Sequence, residues 1–223
     1  MTTEINRAEA ACFSGHRNIS INDTEKVAGY VADAIATLYS NGYRVFFCGG
    51  ARGFDTIAAR EVIRFRTAHS DVRLIIAVPC VSQADKWPED EQNLYRTILD
   101  DADEVITLSE KYYNGCMQRR NRFMVDHSSL CLCYLIRFKG GTWSTVRYAL
   151  HEGLTVRNLA MRDSENAGMR EKPWNYMYTY HSAQKNANTV RLYHSLQEKS
   201  RRMNTLKCLS GRRRSGKKSL THL

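Results

Sequence analysis

Two glycine-rich stretches carry the residue types best suited to holding an anion. The first, residues 49–55 (GGARGFD), follows an apolar run and leads into helical spacing. Glycine lets the backbone approach a guest closely and adopt positive φ. A helix beginning directly afterwards offers unpaired N–H groups and a partial positive charge, which suit a phosphate. Gly49, Gly50 and Gly53 supply that backbone, and Asp55 either caps the helix or meets a ribose hydroxyl. The spacing is neither GxGxxG nor the GxxxxGKS/T of a P-loop. The second stretch, residues 140–145 (GGTWST), repeats the logic with Gly140 and Gly141, and Thr142 and Thr145 add hydroxyls at a helix start. Those hydroxyls either hold phosphate oxygens or cap the helix. Two such turns on one edge point to a phosphate-bearing ligand more strongly than one.

Further polar groups fall at comparable places. Gly15, His16 and Arg17 (in SGHR) end the first apolar run. Arg17 is a permanent cation whose fork fits phosphate or carboxylate. His16 is either an acid–base group or a hydrogen-bonded structural imidazole. Residues 119–122 (RRNR) lie on a helix, where only some can face one site. Arg120 and Asn121 are adjacent, so one of them faces the ligand and the other ties down a loop. Gln83, Lys86 and Trp87 occupy a loop, with Trp87 placed to stack on a base or to pack inward. No Ser-His-Asp order, HExxH or paired-carboxylate motif stands out, so no catalytic residue is assigned.

Alternating elements must position these groups. Residues 10–13, 44–48, 72–79, 104–108, 130–136 and 155–160 read as strands. Residues 23–40, 54–67, 90–99, 116–126 and 140–151 read as helices, the first capped by Asn22 or Asp23 and stopped by Asn41-Gly42. Runs such as VRLIIAVP and LCLCYLI are apolar almost throughout, as strands covered on both faces are. This β-α series predicts an α/β fold: a Rossmann-like open, mainly parallel sheet with helices on both faces. Ligands of such sheets sit beyond the carboxyl ends of the strands, where the glycine turns fall.

The 223 residues hold 43% hydrophobic and 25% charged residues, an ordinary globular balance. The net charge of +10 is unevenly spread. Residues 1–165, expected to form the folded domain, hold 20 basic and 21 acidic groups, whereas 166–223 hold 13 and 2. The extension 166–223 is therefore expected to be a separate, basic part, partly helical or disordered, suited to the phosphates of a nucleic acid. Seven cysteines without a CxxC pair, most of them in apolar runs, indicate a reducing compartment and no metal centre. Neither a membrane span nor a secretory leader is read, so the expected location is cytoplasmic. No cofactor is called for, and self-association is a further expectation.

Taken in order, SGHR, GGARGFDTIAA, VPCVSQADKW, DDADEVITLSEKYY, CMQRRNRFMVDHSS and GGTWSTVRYAL resemble the YpsA-like branch of the SLOG superfamily. That superfamily also groups DprA/Smf and the LOG enzymes, and the resemblance covers about residues 9–160. It implies a Rossmann-like sheet with a nucleotide or nucleotide-derived ligand at the glycine turns. It further implies a pocket lined by Gly15, His16, Arg17, Gly49, Gly50, Gly53, Asp55, Arg120, Asn121, Gly140, Gly141 and Thr142. One departure concerns the LOG enzymes, whose second turn reads PGGxGTxxE. Here Lys139 replaces the proline, and Val146, Arg147 and Tyr148 stand where the glutamate is expected. Asp126 or Glu152 would have to substitute for that acid. The leading reading is a sensor or regulatory module for a nucleotide-derived ligand. The alternatives are a nucleoside-monophosphate phosphoribohydrolase-like N-glycosidase and a DprA-like nucleic-acid binder using the tail.

Overall fold

The computed structural model describes residues 5–161, and the extension 166–223 lies outside the described residues. Six strands form one all-parallel sheet: β1 (Ala10–Gly15), β2 (Val45–Cys48), β3 (Arg73–Val78), β4 (Glu104–Thr107), β5 (Leu130–Tyr134) and β6 (Thr155–Asn158). Their order is β4-β3-β2-β1-β5-β6. The chain winds outward from β1 to β4, then returns to place β5 against the other side of β1, with Gly15 opposite Tyr134. The order thus reverses between β1 and β5, which is where an open α/β sheet leaves a crevice at its carboxyl edge.

Five helices connect the strands: α1 (Ile21–Ser40), α2 (Phe54–Arg66), α3 (Glu89–Asp100), α4 (Cys116–Asp126) and α5 (Gly140–His151). Side chains along a strand alternate between faces. Ala11, Phe13, Phe46, Cys48, Leu74 and Ile76 therefore enter one core with Val27, Val31, Ile35 and Leu38 of α1 and Ala58 and Val62 of α2. Their neighbours Ala10, Cys12, Val45, Phe47, Ile75 and Ala77 enter a second core with Met124 and Val125 of α4 and Val146 and Ala149 of α5. Both faces are covered, which is why these strands read as unbroken apolar runs. Phe54 joins the first core to the carboxyl edge, stacked on Tyr134 at 5.9 Å and edge-on to Phe13 at 6.3 Å.

The expected elements are all present, with shifted ends. α1 begins earlier than expected because Ser20, rather than Asn22 or Asp23, is its cap: the Ser20 hydroxyl accepts the Asn22 amide at 3.3 Å. β5 stops at Tyr134 although the apolar run continues to Ile136, which is 58% exposed. β6 stops at Asn158, and a 3-10 turn (Leu159–Met161) follows. The described cysteines are all buried and free. Among the described residues no helix is long and apolar enough to cross a membrane, and no cluster of three or more His, Cys, Asp or Glu could hold a metal ion.

Candidate functional site

Three chain reversals meet at the carboxyl edge and are tied to one another by hydrogen bonds. The β1–α1 turn holds Gly15, His16 and Arg17. The carbonyl of Gly15 accepts the Thr142 hydroxyl at 2.8 Å, and that of His16 accepts the Phe54 amide at 3.1 Å. His16 Nε2 accepts the amides of Ile136 and Arg137 at 3.0 and 3.2 Å. Burial, with Arg137 nearby, holds the His16 imidazole below its ordinary value, so the ring is a neutral acceptor. It staples the β1–α1 turn to the β5–α5 loop. Arg17 is exposed, and its guanidinium makes no ion pair or hydrogen bond with a described residue. Its charge is nevertheless felt by both Asp55 and Arg120.

The β2–α2 turn is filled from within. Gly49 and Gly50 are buried. A Cβ on Gly49 would overlap the Arg120 guanidinium and stand 2.8 Å from Asp55 Oδ2. One on Gly50 (φ +57°) would lie 3.0 Å from the Tyr95 ring and 3.1 Å from Ile76. Gly53 (φ +77°) needs its missing side chain because the carbonyls of Arg17 and His16 cross directly above it, the latter 2.7 Å from a built Cβ. Gln83 donates from Nε2 to the carbonyls of Gly49 and Gly50 at 3.4 and 3.0 Å. The Asp55 carboxylate accepts the Ala51 amide at 3.3 Å and is 6% exposed. It braces its own loop. Burial raises its pKa, and Arg120 is the main opposing influence. Burial likewise pushes the Cys48 thiol up, and its Sγ donates to the Asp55 carbonyl at 3.2 Å.

Arg120, although on α4, belongs to this turn. It is 4% exposed. Its Nη1 donates to the Gly49 carbonyl in a short contact and to the Ala77 carbonyl at 3.4 Å. Its Nε donates to Asn121 Oδ1 at 2.7 Å. Asn121 in turn donates to the Thr145 hydroxyl at 2.7 Å, which donates to the Gly141 carbonyl at 3.0 Å. A continuous chain, Gly49–Arg120–Asn121–Thr145–Gly141, therefore runs from one glycine turn to the other. The residues expected to divide between ligand and loop both hold loops. Burial lowers the Arg120 pKa and Asp55 opposes it, but a guanidinium remains charged at any ordinary pH.

The β5–α5 turn is different. α5 begins at Gly140 with no side-chain cap and no acidic residue in its first turn. The amides of Gly140, Gly141 and Thr142 have no intrahelical acceptor, and no described residue supplies one. A Cβ on Gly140 or Gly141 would meet nothing within 4 Å. Of the two glycine turns, this one is open. Arg137 and Lys139 are exposed beside it.

Other residues singled out by type lie nearby or elsewhere. Trp87 is half-buried and packs against Tyr95 at 5.2 Å, and burial pushes the Tyr95 phenol up to about 12. Asp126 ends α4 and Glu152 follows α5, both at the amino edge, roughly 16 Å of helix from the glycine turns. Asp126 accepts the Tyr148 hydroxyl at 2.8 Å, and Glu152 meets His151 at 2.8 Å. Neither approaches the rim. Sequence reasoning missed Asn158, 5% exposed, whose side chain accepts the Leu135 amide and donates to the Leu135 carbonyl, both at 2.9 Å. It anchors the loop leading to the open turn, and its signal was an amide at the end of the short strand TVRN.

The family model for YpsA, the YspA SLOG family, matches residues 12–150. The SPbeta prophage-derived protein YoqJ of Bacillus subtilis (strain 168) is 32% identical over 121 residues, 49% of this chain and 70% of that protein. A UPF0398 protein of Halalkalibacterium halodurans is 30% identical over 96 residues, 42% of this chain and 51% of its own length. The chain thus spans about half of that second relative. Among solved structures, DNA processing protein A of Streptococcus pneumoniae is similar with a TM-score of 0.49 at 18% identity, over 67% of this chain and 49% of that one. TM1055 is similar with a TM-score of 0.45 at 14% identity, over 70% and 81%.

Proposed function

This chain belongs to the YpsA SLOG family, and from that premise we propose that its carboxyl rim binds a phosphate-bearing, nucleotide-derived ligand as a sensor or regulatory module. The observation that carries the reading is the first turn of α5. Three amides have no described acceptor, a Cβ on either glycine would meet nothing within 4 Å, and the turn is tied down by Thr142, Thr145 and Asn121. Such a turn is a preorganised anion cradle: its N–H groups are already aligned and need no ordering when the anion arrives. Arg17, exposed and uncommitted among the described residues, follows the His16 that is bonded to the loop before the cradle, and would supply the formal positive charge. The β2–α2 turn then serves as a support rather than a second cradle, because its glycines are occupied by Arg120, Gln83 and Tyr95.

A binding role suits the rim better than hydrolysis of an N-glycosidic bond. Asp55, the acid nearest the turns, is buried and engaged by the Ala51 amide, while Asp126 and Glu152 sit at the opposite edge. The test is calorimetric titration of the full chain with inorganic phosphate and with nucleoside mono-, di- and triphosphates. Heat is expected from at least one nucleotide, with phosphate competing weakly. Absence of both heat and thermal shift across the panel refutes the reading.

A further inference from the structure

The outward face of α4 has no part in the rim. Gln118, Arg119, Arg122 and Asp126 form one exposed stripe along the helix, and Phe123 lies at its border, half-buried against Phe47 at 6.2 Å. With Tyr113 and Tyr148 they line an open groove of about 650 Å³. Arg122 lies 5.3 Å over the Tyr148 ring, and the Tyr148 hydroxyl takes one oxygen of Asp126, leaving Oδ2. Arg119 donates to the Leu108 carbonyl at 3.2 Å. Among the described residues, no opposite charge pairs with Arg119, Arg122 or Asp126.

We propose that this face is the contact between two copies of the chain, packed antiparallel about a two-fold axis near residues 122 and 123. The ordering of charge argues for it. Arg119 and Asp126 lie equally far from that midpoint, each about 5 Å along the helix axis. A two-fold axis there sets Arg119 of each copy against Asp126 of the other, and Phe123, Tyr148 and the Arg122 stem meet in the centre. At either common helix-crossing angle the two charges stay within roughly 4 Å laterally, inside the reach of an arginine. Other occupants fit worse. A polyanion meets the Asp126 carboxylate, and a cationic peptide meets two guanidiniums. The same stripe reversed in direction sets an opposite charge against both Arg119 and Asp126, while each Arg122 stays over the Tyr148 ring of its own copy. This surface lies on the back of the helix whose inner face carries Arg120 and Asn121, but the contact does not depend on a ligand at the rim.

Sedimentation velocity on the full chain tests it. The wild type is expected to self-associate in the micromolar range, more weakly as salt rises. Asp126→Arg and Arg119→Asp each place like charges opposite one another twice and should weaken self-association at least about tenfold. Mixing the two single variants should produce a heterodimer, because each then offers what the other lacks. The double variant Arg119→Asp/Asp126→Arg should return to within about threefold of wild type. A purely intramolecular role for either residue cannot rescue association on mixing. A wild type that remains monomeric, or singles that form no heterodimer when mixed, overturns the proposal. Nucleotide titration of the same variants separates this outcome from the reading of the rim, since both singles should bind as the wild type does.

Discussion

Gly49→Ala is the most direct perturbation of the chain that joins the two glycine turns. Gly49 has no left-handed φ, so alanine meets no backbone strain there. The obstacle is steric: its methyl would occupy the place of the Arg120 guanidinium, 2.8 Å from Asp55 Oδ2. To reach ordinary contact distance the guanidinium must retreat by about 1.3 Å or more. That movement breaks its bond to the Gly49 carbonyl and strains the one to Asn121. A hydrogen bond from a charged donor contributes about 1.5–3 kcal/mol, and crowding a packed interior adds about 1–3. The expected loss is about 3 kcal/mol, a large share of the roughly 5–15 kcal/mol that holds a domain together. Urea denaturation followed by circular dichroism measures it, with unchanged slope as the check on two-state behaviour. The double variant Gly49→Ala/Arg120→Ala carries the logic. Once the guanidinium is gone only the Asp55 carboxylate must give way to the methyl, so the double should unfold close to Arg120→Ala alone and short of additivity. Additive losses, or a Gly49→Ala protein within about 0.5 kcal/mol of wild type, refute the assignment of Arg120 to this turn.

Three further outcomes follow from the same geometry. Gly141→Ala meets no neighbour within 4 Å and replaces a helical glycine, so it should stabilise by up to about 1 kcal/mol while weakening nucleotide affinity; melting temperature and calorimetry on one sample check both. Arg17→Ala removes an exposed cation with no partner among the described residues, and is expected to weaken nucleotide binding about tenfold with the unfolding midpoint unchanged. The pKa of His16 is depressed from 6.5 in the folded protein, so as pH falls below that value the unfolded chain takes up the proton first and stability falls until the folded value is passed. Comparing thermal melts between pH 7.5 and 5.5 for wild type and His16→Asn should show a smaller pH dependence in the variant, and equal dependence counts against the staple.

The fold was legible because its periodicities are clean. Continuous apolar runs alternate with helices whose buried positions fall three and four apart, and a sheet with both faces covered is the arrangement that buries all of them. Element ends were less so, since they are settled by single hydrogen bonds between residues far apart in sequence. LCLCYLI gives no internal reason to stop at Tyr134. β5 stops there because the Leu135 amide is taken by Asn158 and the Ile136 amide by His16, 23 and 120 residues away. The cap of α1 falls by type on Asn22 or Asp23, and only the turn geometry moves it to Ser20.

The two glycine turns illustrate a deeper limit. By composition they are alike: paired glycines after a buried strand, with a helix opening behind. What separates them is what stands in front, and that is decided by other elements. α4 sends Arg120 across 71 positions of sequence to the Gly49 carbonyl, and the loop after β3 sends Gln83 to Gly50. No described residue of another element reaches Gly140 or Gly141, and the Gly141 carbonyl takes only the Thr145 hydroxyl of its own helix. Glycine at the first turn makes room for the protein's own side chains, and glycine at the second leaves room that no described residue takes. A buried arginine must find acceptors, and a carbonyl exposed by a tight turn is the nearest kind available inside the sheet edge. The basic stretch 119–122 thus divides by helix geometry alone: Arg120 faces inward as a brace, and Arg119 and Arg122 face outward, where their charge is open to a partner rather than to the rim.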